Sequence, residues 1–245
     1  LHSTSRRQRQ MCIRDRFQTF MNTYLDGEGG VFMEKSYTKI YTTGATVPLK
    51  IRPGHFATNH AHINYYIDVT TLKARTKEAE EVAQALVGMY LYDTVIDTIV
   101  CMEGTEVIGA FLAEELAKGG FLSTNAHKSI YVISPEFNNN SQIIFRDNLI
   151  PMIRDKHVMI LMASVTTGRT LNKAVESIQY YGGILQGASA IFSAMDSLDG
   201  VPIKSVFGKK DLPDYTYSDY RDCPLCKAGK KIDALVNTFG YSPMG

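Results

Sequence analysis

Two places in the sequence hold residue types whose spacing can do chemistry. Thr166-Thr167-Gly168-Arg169-Thr170 follows the apolar run Val158-Met159-Ile160-Leu161 and precedes a helical pattern from 171 to 181. A strand, a tight turn and a helix N-terminus in that order present unpaired backbone N–H groups, hydroxyls and the positive end of the helix dipole to an anion. A phosphomonoester fits such a cup. Gly168 lets the backbone approach closely, and Arg169 offers charge-assisted hydrogen bonds. The same residues also suit a plain helix N-cap, for which Thr and Gly are ordinary choices; the strand before the turn favours the phosphate. Near the other end, Cys223-Pro-Leu-Cys226 has the spacing at which two thiolates take adjacent corners of a tetrahedron. A second such pair is missing, so a structural Zn²⁺ needs histidine ligands or the same motif from another protomer. Two reduced thiols or a redox pair are the alternatives.

Elements able to position these residues follow from hydrophobic pattern. Between 31 and 69 the runs "SYTKIYTT", "VPLKI" and "INYYIDV" read as strands, with Gly44 and Pro53-Gly54 as turns. From Thr76 helices alternate with strands. "TKEAEEVAQALVGMY" spaces Ala79, Val82, Ala83, Leu86, Val87 and Tyr90 as one helical face, and acidic residues crowd its first turns. "DTIVCM" (97–102), "SIYVIS" (129–134) and "HVMILM" (157–162) read as buried strands, with Cys101 as strand packing. The expected fold is α/β: a mainly parallel sheet flanked by helices, preceded by a small β-rich hood. In such sheets ligands bind beyond the carboxyl ends of the strands. The expected divisions are a tail (1–20), the hood (21–75), the α/β core (76–210) and an extension (211–245) that carries the cysteine pair. In that extension Tyr215, Tyr217 and Tyr220 form an aromatic run that either packs on the body or a partner, or stacks on a base.

Composition narrows the function classes. With 245 residues, 44% of them hydrophobic and 21% charged, the chain can bury one substantial core. No apolar tract reaches the roughly 18 residues of a membrane span. Four irregularly spaced cysteines make no disulfide framework, so a reducing cytoplasm is the expected location. The opening "LHSTSRRQRQMCIRDR" lacks both apolar periodicity and the apolar segment of a secretory signal. Its "MCIRDR" resembles translated sequencing-adaptor read-through, which puts the expected native start near Met21; a native basic tail is the other reading. Residues 1–16 contain five Arg and one Asp, so the remaining body has a formal charge of −3 rather than +1. Nucleic-acid binding then has no electrostatic support.

Three segments together resemble the type I phosphoribosyltransferases, and orotate phosphoribosyltransferase most of all. "VMILMASVTTGRTL" is similar to the family's phosphoribosyl-pyrophosphate (PRPP) motif, an apolar strand followed by two acidic residues, two more positions and Thr-Thr-Gly-x-Thr. "GHFATNHAHINYYIDVTTLKARTKEAEEVAQAL" (54–86) resembles the Gly-His-Phe, polar turn, Tyr-Tyr-x-Asp strand and first helix of the orotate enzymes. "IVCMEGTEVIGAFLAEELA" (99–117) looks like their strand, pyrophosphate-binding loop and next helix. The likeness runs from about Leu49 to Phe207. It implies that Thr166, Thr167, Gly168, Arg169 and Thr170 hold the 5-phosphate and that Glu103, Gly104, Thr105 and Glu106 receive pyrophosphate with Mg²⁺. It further implies that Asn59, His60, Tyr65 and Tyr66 lie on the base side, and that the protein is a homodimer.

Departures from that pattern are specific. The acidic pair is replaced by Met162 and Ala163, followed by Ser164 and Val165. Carboxylates that would hold the ribose hydroxyls and face an oxocarbenium-like transition state are therefore missing. Two lost hydrogen bonds to charged groups, at about 1.5 to 3 kcal/mol each, correspond to roughly two to four decades in affinity or rate. Where the orotate enzymes place a mobile loop rich in Lys and His, this chain has "PEFNNNSQIIF" (135–145), which has neither. Asn59-His60 stands where a Ser-Gly turn is expected. His60 and His62 can recognise a base or a phosphate, and can equally be exposed turn residues. Glu103 and Glu106 read either as carboxylates facing a metal or the base, or as solvated or capping ones.

Three functions fit the sequence, and none has an assigned catalytic group. One is a transferase moving 5-phosphoribosyl from PRPP to a nucleobase, orotate-like pyrimidines favoured, in nucleotide biosynthesis or salvage. Another is a catalytically silent regulator that binds a nucleotide or phosphosugar. In the third, phosphoribosyl chemistry uses other acids, such as Glu103, Glu106 or Asp196.

Overall fold

A computed structural model describes residues 37–244 apart from 119–122 and 127. The basic tail and Met21 lie outside the described residues. Two larger sheets organise the rest. The first carries five parallel strands: β4 (Thr98–Cys101), β5 (Tyr131–Ile133), β8 (His157–Val165), β9 (Ile184–Ser193) and β11 (Val201–Gly208). Their spatial order is β11-β9-β8-β4-β5, with β10 (Ser197–Leu198) antiparallel on β11. Alternate side chains of β8 go to opposite faces. Met159 and Leu161 pack with helices α2 (Thr76–Val87) and α3 (Glu106–Lys118), whereas Val158, Ile160 and Met162 pack with α4 (Arg169–Tyr180). A strand covered on both faces must be apolar at every position, which is why this stretch of sequence shows no alternation.

The hood is the second sheet, ordered β12-β3-β2-β13-β14, with β1 (Thr38–Ile40) also on β2. Strands β2 (Leu49–Ala57) and β3 (His62–Asp68) form its hairpin. The segment after 210 does not stay apart from the hood. It supplies β12 (Tyr217–Ser218), β13 (Ala234–Asn237) and β14 (Gly240–Pro243), and β13 lies parallel to β2 through Ala234 opposite Phe56. Short helix α5 (Pro224–Lys227) falls between them, and α1 (Thr70–Ala74) leads from β3 into α2.

Several expected boundaries shift, each for a local reason. Pro53-Gly54 is no turn: β2 runs through it with a register break between Pro53 and Phe56. Proline cannot donate to a ladder, so a bulge accommodates it. At Gly54 an added Cβ would stand 2.7 Å from the Phe56 ring and 2.8 Å from Asp233 Oδ2. Helix α2 ends at Val87, short of Tyr90, whose buried ring nonetheless joins the same core. Strand β8 continues past Met162 to Val165 because no turn residue intervenes. Helix α4 starts at Arg169, two residues earlier than the apolar spacing indicates, because left-handed Gly168 caps it. "PEFNNNSQIIF" contains a small hairpin, β6 (Glu136–Phe137) with β7 (Ile143–Ile144), tied by an Arg146–Glu136 ion pair. No described helix is long and apolar enough to cross a membrane.

Candidate functional site

In the parallel sheet the connection from β4 leads to one side, to β5, and that from β8 leads to the other, to β9. The order therefore reverses between β4 and β8, and open α/β sheets bind ligands at such a reversal. A cleft of about 230 Å³ opens there. Its floor is residues 162–171 and Glu103; its roof is Thr58, Asn59, His60 and Tyr66 of the hood, and Val236, Asn237, Thr238 and Gly240 close one side.

The turn after β8 forms one end of the cleft. Gly168 has φ +74° and ψ −4°, a left-handed conformation that exposes the first N–H groups of α4. An added Cβ there would meet Leu198 side-chain atoms at 2.9 and 3.0 Å, so both backbone and space call for glycine. Thr166 Oγ1 is hydrogen-bonded to Tyr215 Oη at 3.0 Å, and Tyr215 is buried against Phe192. The first tyrosine of the aromatic run thus braces this turn, whereas Tyr217 and Tyr220 are exposed. All five residues from Thr166 to Thr170 line the cleft.

Of Glu103, Gly104, Thr105 and Glu106, in the turn after β4, only Glu103 lines the cleft. Thr105 is buried and its hydroxyl donates to the carbonyls of Met102, at 2.9 Å, and Leu161, at 3.1 Å. Glu106 accepts a hydrogen bond from the Ser134 hydroxyl at 2.6 Å. Glu103 and Gly104 both adopt positive φ, at 59° and 79°. Such a backbone is costly for a non-glycine residue, and functional sites are where that cost collects. It sends the Glu103 carboxylate across to β8, where Oε2 accepts the Ser164 N–H at 3.3 Å. An acid from the turn after β4 thus sits beside the positions that hold Met162 and Ala163 in place of an acidic pair. Burial pushes the Glu103 carboxyl above its usual range, with the Ser164 amide and nearby Lys73 working in the opposite direction.

Lys73, on α1, reaches the same floor. Its Nζ donates to the Glu103 carbonyl at 2.6 Å and to the Thr238 carbonyl at 3.3 Å. Sequence reasoning missed this lysine, which no motif marks. On the base side Asn59, His60 and Tyr66 line the cleft, but Tyr65, one position out of phase on β3, does not. His60 is held below the usual histidine range by burial and by the charges of Arg169 and Lys173. Asp196 is not among the residues that line the cleft. The cysteine pair lies elsewhere, beside His55 and His62 at the end of the hood hairpin.

No family model and no curated protein matches the sequence. Solved structures similar to the chain include UMP synthase of Leishmania donovani, at 18% identity and TM-score 0.48 over 66% of this chain and 34% of that one. A phosphoribosyltransferase from Corynebacterium diphtheriae matches at 14% identity and TM-score 0.46, over 66% of this chain and 90% of that one. Orotate phosphoribosyltransferase of Mycobacterium tuberculosis H37Rv, in complex with PRPP, matches at 14% identity and TM-score 0.44, over 60% and 82% respectively.

Proposed function

We propose that the protein is a phosphoribosyltransferase that binds PRPP in this cleft and transfers the phosphoribosyl group to a nucleobase, orotate-like pyrimidines first among them, in nucleotide biosynthesis or salvage. The observation that carries the reading is the left-handed Gly168 cup at the β8–α4 junction, facing a buried-edge carboxylate across the sheet reversal. In this reading 166–170 grip the 5-phosphate. Ser164 and the Glu103 carboxylate face the ribose, and Glu103 provides the negative charge that an oxocarbenium-like centre requires. Asn59, His60 and Tyr66 flank the base. Among the described residues Glu103 is the single carboxylate lining the cleft and already accepts an amide, so Mg²⁺ suits the site only as an ion carried mainly by pyrophosphate oxygens and water. When bound it would neutralise charge on the leaving pyrophosphate. A homodimer, as the sequence resemblance implies, in the reducing cytoplasm that the irregular cysteine spacing suggests, completes the reading.

Calorimetric titration of the full chain with PRPP and Mg²⁺, beside ribose 5-phosphate and orotidine monophosphate, tests it. Micromolar PRPP binding, about −8 kcal/mol, with pyrophosphate release on adding a base is the expected result. No binding of any of the three rejects the proposal. Binding without release for any base favours a silent phosphosugar sensor, a second reading supported by Met162 and Ala163 and by a 135–145 hairpin that lacks Lys and His.

His60 gives the binding a pH signature. A bound phosphate stabilises the imidazolium that burial, Arg169 and Lys173 disfavour, so affinity should rise as pH falls below the ordinary value of 6.5. Native stability should move the other way, because the unfolded chain protonates its histidine first. In His60→Asn the rise toward low pH should disappear, leaving the fall in affinity that protonation of the phosphate itself, with a second pKa of about 6, imposes. A profile unchanged from the parent protein removes His60 from the phosphate's surroundings.

A further inference from the structure

We propose that His55, His62, Cys223 and Cys226 form a tetrahedral zinc site that fastens the C-terminal segment to the hood. The four ligand atoms lie within 4.8 Å of one another. His55 Nε2 is 3.5 Å from Cys223 Sγ, 3.7 Å from Cys226 Sγ and 3.1 Å from His62 Nδ1, and Cys226 Sγ is 3.3 Å from His62 Nδ1. With Zn–S near 2.3 Å and Zn–N near 2.05 Å, a tetrahedron has S–N edges of about 3.6 Å and N–N edges of about 3.3 Å. These four separations lie close to those edges.

The supporting contacts fit the same assignment. His55 Nδ1 lies 2.9 Å from the Lys230 carbonyl and 3.2 Å from that of Lys231. A carbonyl can only accept, so Nδ1 carries the proton and Nε2 is left with the lone pair a metal needs. The Asp233 carboxylate accepts the His55 backbone N–H at 2.7 Å, which fixes the strand that presents the ring. His55 and Cys223 are buried, so one side of the site is closed to solvent. Four protein ligands and no open position mark a structural rather than a catalytic zinc. Binding releases two thiol protons to solvent and leaves both sulfurs as thiolates.

The consequence reaches the cleft without depending on which ligand occupies it. From Cys226 the chain passes through Asp233 into β13 and β14, and these bring Val236, Asn237, Thr238 and Gly240 to the cleft wall. Removing the metal should loosen that wall, because the strand pairings that join the segment to the hood hairpin are short, two residues at β12 and two at β13, and hydrogen bonds such as Asp233 to His55 are left to hold it.

Metal analysis of the full chain, produced with zinc in the medium and purified under reductant, should find about one zinc per chain. Cys226→Ser, at an exposed thiol, should lose stoichiometric zinc and melt earlier. If that variant does not fold, chelator-stripped parent protein titrated with Co²⁺ decides: tetrahedral d–d bands with thiolate charge transfer are expected. An octahedral cobalt spectrum, absence of cobalt binding, or metal-free protein two hydrogens short by mass from a Cys223–Cys226 disulfide overturns the site. None of these measurements uses PRPP, so the zinc proposal and the proposed function fail separately.

Discussion

Gly168→Trp should abolish PRPP binding while leaving the protein folded. Any L side chain at φ +74° is strained, at about 1 to 2 kcal/mol for the left-handed region. For a chain of this size that is a loss of roughly 2 to 8 °C in melting temperature. The indole would also collide with Leu198, so the turn must shift to admit it and the first amides of α4 move away from where a phosphate would meet them. Loss of two charge-assisted hydrogen bonds, about 1.5 to 3 kcal/mol each, weakens binding by roughly 10² to 10⁴-fold. Gly168→Ala separates the two effects: it brings the strain and a near contact with Leu198, but not the bulk, and should bind only modestly more weakly. Calorimetry on both variants, with circular dichroism to confirm the fold, reads this out. Unaltered PRPP affinity in Gly168→Trp would show that the turn is an N-cap and nothing more.

The parts of this site that could be read from sequence are those built from neighbours in the chain. A phosphate cup is a strand end, a turn and a helix start, so 157–180 contains everything needed to recognise it. The parallel sheet was legible for a similar reason: strands buried on both faces lose alternation and become continuous apolar runs. What escaped depends on pairings of distant segments. His55 and Cys226 are 171 positions apart, and the two histidines that complete the cluster have no spacing that marks them, since each sits on a different strand of a hairpin. Lys73 is one lysine among many until the fold brings the Glu103 and Thr238 carbonyls to its Nζ. Pro53-Gly54 misled because turn chemistry and bulge chemistry use the same residues, and only the partner strand tells them apart. Glu103 was visible as an acid near the pyrophosphate loop, but its direction came from two successive left-handed residues, which the sequence marks with a single glycine.

Glu103→Gln provides the sharpest division between a structural and a chemical carboxylate. Glutamine keeps the length and an oxygen to accept the Ser164 N–H, and removes only the charge. If the carboxylate faces the ribose, turnover should fall by about 10² to 10³-fold, the typical cost of losing one preorganised electrostatic contact, with PRPP affinity changed far less. The pH dependence should change with it. Burial raises the native pKa above the ordinary 4.5, so the native state holds its proton more tightly than the unfolded chain. Stability from this group is therefore complete below pH 4.5 and is lost as pH rises through the raised value. Activity needs the ionised form and rises over the same interval. Glu103→Gln should erase both limbs at once, giving a protein at least as stable as the parent at neutral pH but nearly inactive. A residue held for packing behaves differently, losing stability and activity together. Thermal melts and pyrophosphate-release rates across pH 4 to 8, roughly the span of raised carboxyl values, decide between them. Full turnover in Glu103→Gln would show that this carboxylate does not stand in for the missing acidic pair, and would remove Glu103 from the chemistry of the transferase.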